Sequence, residues 1–123
     1  MNEEMRATAW ARVLAAVRPP HSRNLRQGTW YPVVHDQRQD RVSVVVGTTV
    51  VEVPRRVLEI RRQRPDRFSV VYDATSMAAH AGVELGQRYG VCPECRHRFP
   101  LAGSLPIVQC PHCGHRGEVG WWD

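Results

Sequence analysis

Cys92-Pro93-Glu94-Cys95, followed after fourteen residues by Cys110-Pro111-His112-Cys113-Gly114, holds every cysteine of this 123-residue chain. Two Cys-x-x-Cys pairs put four soft thiolates where a tetrahedral Zn²⁺ ion needs them. The spacer falls one residue short of the roughly fifteen to twenty common between such pairs, a difference that a loop absorbs. Pro93, Pro111 and Gly114 are residues that tight knuckles require, and apolar runs at 89–91 and 107–109 flank them. The expectation is a closed structural site of one Zn²⁺ per chain held by Cys92, Cys95, Cys110 and Cys113.

Three other readings compete for the same cysteines. Paired disulfides belong to secreted domains that arrive behind a signal peptide, and none is visible here. A thioredoxin-like redox centre uses one Cys-x-x-Cys beside a βαβ pattern, whereas this chain has two pairs and no such pattern. A catalytic zinc keeps an open position and draws on His or carboxylate. His97, His112 and His115 lie near enough to replace a thiolate, but four cysteines already close the shell, so these histidines read as solvated knuckle residues.

The cysteines, the Cys-Pro-x-Cys form of both knuckles, and Phe99 and Trp121 as core aromatics resemble a zinc ribbon over residues 88–123. The resemblance implies a module rather than an activity. Arg96 stands where the second knuckle has Gly114. Positive φ is costly for a residue with a side chain, so the first turn is expected to be less regular. About thirty-five residues cannot bury enough apolar surface alone, so the ion must hold the module together.

The net charge is +5, and all 17 basic residues are arginine. Arginine without lysine is the signature of GC-rich codons before it is a demand for bidentate contacts. Its distribution is more telling. Residues 55–67 carry Arg55, Arg56, Arg61, Arg62, Arg64 and Arg67 against Glu59 and Asp66, a local net charge of +4, while residues 89–123 are neutral before the thiolates are counted.

The predicted fold class is α+β. Residues 1–20 are expected to form an amphipathic helix: Asn2 caps, Glu3 and Glu4 suit the dipole, Met5, Ala9, Val13 and Val17 recur at helical spacing, and Pro19-Pro20 stops it. From Thr29 the period changes to two, giving a small β-domain over 29–73 with Gly47-Thr48 as a tight turn, Pro54 ending a strand, a 3₁₀ or short helical turn after it, and a last run through Phe68, Val70 and Tyr72. Pro32 lacks an amide donor, which places its strand at an edge or interrupts it. Strand count, Trp30-Tyr31 and Val53-Pro54 resemble a small barrel of the Tudor or KOW kind; an antiparallel sheet covered by the N-terminal helix produces the same pattern. Residues 74–88 are expected to be a linking helix capped by Thr75 or Ser76, with Met77, Ala81 and Leu85 on one face and Gly82 and Gly86 weakening it. The ribbon fills 89–123.

Enzymatic constellations are missing from the sequence: no Gly-rich phosphate loop, no His-Glu-x-x-His, no Gly-x-Ser-x-Gly, and no cysteine outside the metal set. Asp36, Asp40 and Asp73 read as turn residues and His80 as packed or solvated, so the chain is expected not to be an enzyme. No run of eighteen apolar residues, lipidation motif or export signal is present, and with reduced cysteines the expected location is cytoplasmic. Two functions follow. One is association with RNA or DNA, in transcription or translation, through the arginine stretch. The other is an adaptor or accessory subunit that docks on a protein partner through the ribbon, the N-terminal helix or Trp122, an aromatic anchor near the end of the chain. Neither a membrane nor a small-molecule substrate is indicated.

Overall fold

A computed structural model describes residues 7–14, 25–35, 40–73, 79–80 and 82–121. The chain divides into two compact units, Met1–Pro65 and Asp66–Asp123.

The first unit is a five-stranded antiparallel sheet of β1 (Ala9–Val13), β2 (Tyr31–His35), β3 (Arg41–Val46), β4 (Thr49–Pro54) and β5 (Leu58–Arg61), hydrogen-bonded in the order β4-β3-β2-β1-β5. Successive strands pair as hairpins until β4, and β5 then returns to pair with β1. Gly47 and Thr48 form the two-residue turn between β3 and β4, Gly47 taking φ +61° as such turns demand. A 3₁₀ turn, Arg55–Val57, separates β4 from β5. The core is built from short β-branched and small side chains, Ala9, Ala11, Val13, Val33, Val42, Val44, Val53 and Val57, with Leu25, Tyr31 and Leu58 closing it. Pro32 lies in β2, an internal strand, but pairing with β3 begins only at Val33 and is irregular there, so the missing amide breaks no ladder on that side.

In the second unit β6 (Ser69–Tyr72), β9 (Arg88–Val91) and β10 (Arg98–Pro100) form a sheet in the order β10-β9-β6. Two hairpins accompany it: β7 (Ala79–His80) with β8 (Val83–Glu84), and β11 (Ile107–Gln109) with β12 (Arg116–Glu118). The chain through residues 68–71 is covered on both faces, and Tyr72 is exposed. Phe68 and Val70 join a cluster with Cys92, Cys110, Leu101 and Val119, while Val71 joins Leu85, Tyr89 and Val91.

The α+β expectation is overturned: the described residues contain no α-helix. Residues 9–13, read as the middle of the N-terminal helix, are β1. Ala9 and Val13, four apart, share a side in a helix and in a strand alike, so their spacing does not discriminate. Ala11 does, because a helix would turn it away, and it is 1% exposed. Pairing with both β2 and β5 supplies what the local propensity did not. The rest of that predicted helix, residues 1–6 and 15–20, lies outside the described residues. Where a linking helix is expected over 74–88, the described residues 79–80 and 82–88 hold the β7–β8 hairpin and no helix. Gly82 and Gly86 take φ +80° and +74°, left-handed conformations that end helices rather than extend them. Thr75, Ser76, Met77 and Ala81 lie outside the described residues.

Candidate metal centre

The two knuckles are built alike. In the first, the Cys92 N–H donates to the His97 carbonyl at 2.9 Å and the Arg96 N–H to the Cys92 carbonyl at 3.0 Å. In the second, the Cys110 N–H donates to the His115 carbonyl at 2.7 Å and the Gly114 N–H to the Cys110 carbonyl at 3.0 Å. The expected irregularity at Arg96 does not occur. Arg96 adopts φ +66°, close to the +82° of Gly114, so the metal-binding turn imposes its backbone on a residue that resists it. In the second knuckle the N–H groups of His112 and Cys113 point at the Cys110 sulfur, at 3.4 and 3.5 Å.

The four Sγ atoms lie within 4.8 Å of one another. The closest pairs run between knuckles, Cys92 to Cys113 and Cys95 to Cys110, each 3.6 Å apart. A tetrahedron with metal–sulfur bonds of about 2.3 Å has edges of about 3.8 Å, so these separations fit a Zn²⁺ ion. They do not fit a disulfide, whose sulfurs stand about 2.05 Å apart, and all four cysteines are free. Among the described residues this is the one group of His, Cys, Asp or Glu side chains placed to hold a metal. A bound Zn²⁺ would act as a structural cross-link between the knuckles.

Burial sets the proton chemistry of the metal-free thiols. Desolvation pushes Cys92 far above the usual thiol range and raises Cys95. Cys113 is exposed and accepts from the His115 N–H, which holds it down to about 7. Cys92 and Cys95 therefore carry protons at neutral pH until a metal displaces them.

Phe68, fully buried, is the hub beside the centre. It meets Phe99 edge-on at 5.7 Å between centroids and the tilted His115 ring at 5.4 Å. His115 Nε2 lies 2.9 Å from the Asp66 carbonyl oxygen, and a Cβ on Gly117 would come within 2.8 Å of that same oxygen, so only glycine lets the chain pass there. Trp121, expected in the core, is half-buried and packs against this cluster, its Nε1 donating to the Leu105 carbonyl and its ring facing the Arg88 guanidinium.

Of the knuckle histidines, His112 is exposed as expected, whereas His97 and His115 are half-buried. His97 stacks on His112 at 5.0 Å, and burial together with the neighbouring His112 lowers its pKa. His80 packs edge-on against His97 and accepts a hydrogen bond from Arg98 Nε. Phe68 and this histidine set went unrecognised in the sequence. Alternation flagged Phe68 as a strand residue but not as the neighbour of residues fifty positions away.

The arginine stretch divides between the units. Arg55 is half-buried in the 3₁₀ turn and Arg56 is exposed. Arg61, Arg62 and Arg64 are exposed at the end of the first unit, with Arg61 3.8 Å from Glu59. Arg67 belongs to the second unit and pairs with Glu118 at 3.5 Å. Asp40 directly precedes β3 in the first unit and Asp73 directly follows β6 in the second, while Asp36 and Trp122 lie outside the described residues. No helix among the described residues is long and apolar enough to cross a membrane. Comparison with family models, curated proteins and solved structures finds no match to this chain.

Proposed function

We propose that the protein is a small, non-catalytic zinc-ribbon protein that associates with nucleic acid, or with a machine that processes it, and that its exposed arginines contact phosphates. The observation that carries this reading is the run of exposed Arg61, Arg62 and Arg64 at the end of β5, within a stretch that holds +4 of the chain's +5. Concentrated positive charge attracts a polyanion without regard to sequence. The neutral ribbon, made more negative by four thiolates on a divalent ion, is a poor phosphate ligand, so phosphate contact is assigned to the arginine stretch and a structural or protein-docking role to the ribbon. A five-stranded meander whose last strand returns to the first supports a small barrel of the Tudor or KOW kind, with β1 as its opening strand. A reduced thiolate centre suits a cytoplasmic location.

The test is salt-dependent binding to generic RNA and DNA. Replacing Arg61, Arg62 and Arg64 by Gln is expected to weaken binding to all sequences alike and flatten the salt dependence by up to about 0.9 log units per lost phosphate contact. An unchanged slope, or a larger loss from Arg96→Gln and Arg98→Gln, places the contact elsewhere.

One observation favours the adaptor reading. Leu105 and Ile107 are exposed, and the backbone groups of Ile107 and Gln109 face away from β12, because Val108 is the residue that exchanges hydrogen bonds with Gly117. An extended segment of a protein partner would pair there. Ile107→Asp would abolish such docking and leave nucleic-acid binding intact; truncation after Val119 tests Trp122 as a second anchor.

A further inference from the structure

The second unit contains a graded stack of rings that starts in its core and ends in solvent. Phe68 is fully buried and meets Phe99 edge-on. Phe99 lies nearly parallel to His97, with an interplanar angle of 17° and centroids 6.5 Å apart. His97 lies nearly parallel to His112, at 12° and 5.0 Å. His112 is exposed. His80 braces His97 from the side at 4.5 Å, and Arg98 holds His80 by donating from Nε to its Nδ1 and from a terminal nitrogen to the Ala79 carbonyl.

Three features distinguish this array from a cover over the thiolates. The outermost ring does not close off the outermost thiol, since Cys113 remains exposed. His112 is presented from a rigid point, its own N–H bound to the Cys110 sulfur inside the knuckle. Its neighbours are rings in parallel, offset arrangement, the geometry in which an added flat ring extends a stack.

We propose that the outer face of His112, backed by His97 and Phe99, is a stacking platform for an unpaired base of single-stranded nucleic acid. The proposal rests on the nucleic-acid reading above and adds a second kind of contact to it. A flat, sequence-tolerant π-surface recognises bases without drawing on phosphate attraction. That suits a module whose charge is neutral before the thiolates are counted. A duplex, whose bases are already stacked, offers this platform nothing.

The experiment uses the full zinc-loaded chain with a single-stranded oligonucleotide containing 2-aminopurine and the matching duplex, over a range of salt. The expected result is quenching of 2-aminopurine by the wild type. His112→Ala should weaken single-strand binding by roughly tenfold, with the salt slope, zinc content and duplex binding unchanged, whereas His112→Phe should retain the affinity. If His112→Ala loses zinc, the Phe variant and 2-aminopurine quenching decide, and a Phe variant that holds zinc but neither binds nor quenches overturns the platform. It is overturned equally if single strands bind, respond to the Arg61, Arg62 and Arg64 substitutions, and ignore His112→Ala; the nucleic-acid reading then survives alone. Absence of binding to any strand at low salt overturns both. Loss of a protein partner on His112→Ala, with oligonucleotide affinity unmoved, assigns the ring to protein docking and also rejects the proposal.

Discussion

The first unit encloses Ala9, Ala11, Val13, Val33, Val42, Val44 and Val53 between paired strands. Among the described residues the second divides its apolar core between two small clusters, and in the larger of them two of the five buried members are the cysteines Cys92 and Cys110. One unit is held by continuous burial. The other sets four thiols at the centre of a small core, and a Zn²⁺ ion held there would make its folding conditional on the ion. Metal dependence should therefore be a property of one unit and not of the chain.

The largest effect that separates them is loss of a ligand. Cys110→Ser opens the thiolate shell, and since structural Zn²⁺ contributes about 10–16 kcal/mol in isolated finger peptides, the second unit should unfold while the first keeps its sheet. Circular dichroism together with limited proteolysis checks this: the expected product is a protected fragment ending near Pro65. Acid should act in the same direction. Cys92 and Cys95, whose thiols burial pushes upward, must each release a proton to solvent when they bind the ion, so affinity rises with pH and falls as pH drops, more steeply below about 7, where Cys113 also takes a proton. Zinc release to a chromophoric indicator, followed from about pH 8 to 5, measures it. Release independent of pH would contradict a thiolate site.

Core truncations come next. Phe68→Ala removes a fully buried ring from the cluster around Cys92 and Cys110 and should cost about 3–5 kcal/mol, read as lower zinc affinity as well as a lower melting temperature. Val44→Ala, equally buried, should cost about 1.5–3 kcal/mol in the first unit and leave zinc affinity alone.

Within the metal unit the two knuckles offer the smallest and sharpest comparison. Arg96→Gly should stabilise the zinc-bound protein by up to about 1 kcal/mol, because a left-handed backbone no longer opposes a side chain. Gly114→Ala should destabilise by about 1 kcal/mol through conformation alone, since an added Cβ meets nothing closer than Gln109 Nε2 at 3.8 Å. Chemical denaturation of both variants with zinc present measures the difference; equal and like-signed effects would show that the knuckles are not equivalent.

These contrasts also explain what was legible in the sequence. Cysteine spacing is a local signal tied to one chemistry, so the four ligands could be read from residues 92–113 alone. The Gly47-Thr48 turn and the break after Pro54 are likewise local. The N-terminal strand was not legible, because Ala9 and Val13 satisfy a helical period as well as a strand, and the pairing that decides between them comes from Tyr31 and Ile60, far along the chain. The segment at 79–84 was misread for a related reason: two short strands joined through a glycine carry too few residues for either period to declare itself. Phe68 and the His97–His112 stack depend on contacts between residues far apart in the chain, Phe68 with His115 and Val119 among them, of which no window of sequence holds both ends.

The most direct test is residue-resolved hydrogen exchange of the full chain, purified under reducing conditions with its metal content measured, before and after removal of zinc by a strong chelator. One zinc per chain is expected, and on its removal loss of protection in β6 and β9–β12 while β1–β5 exchange as before. Stoichiometric zinc missing from reduced protein, or removal that loosens both units equally or neither, would contradict it.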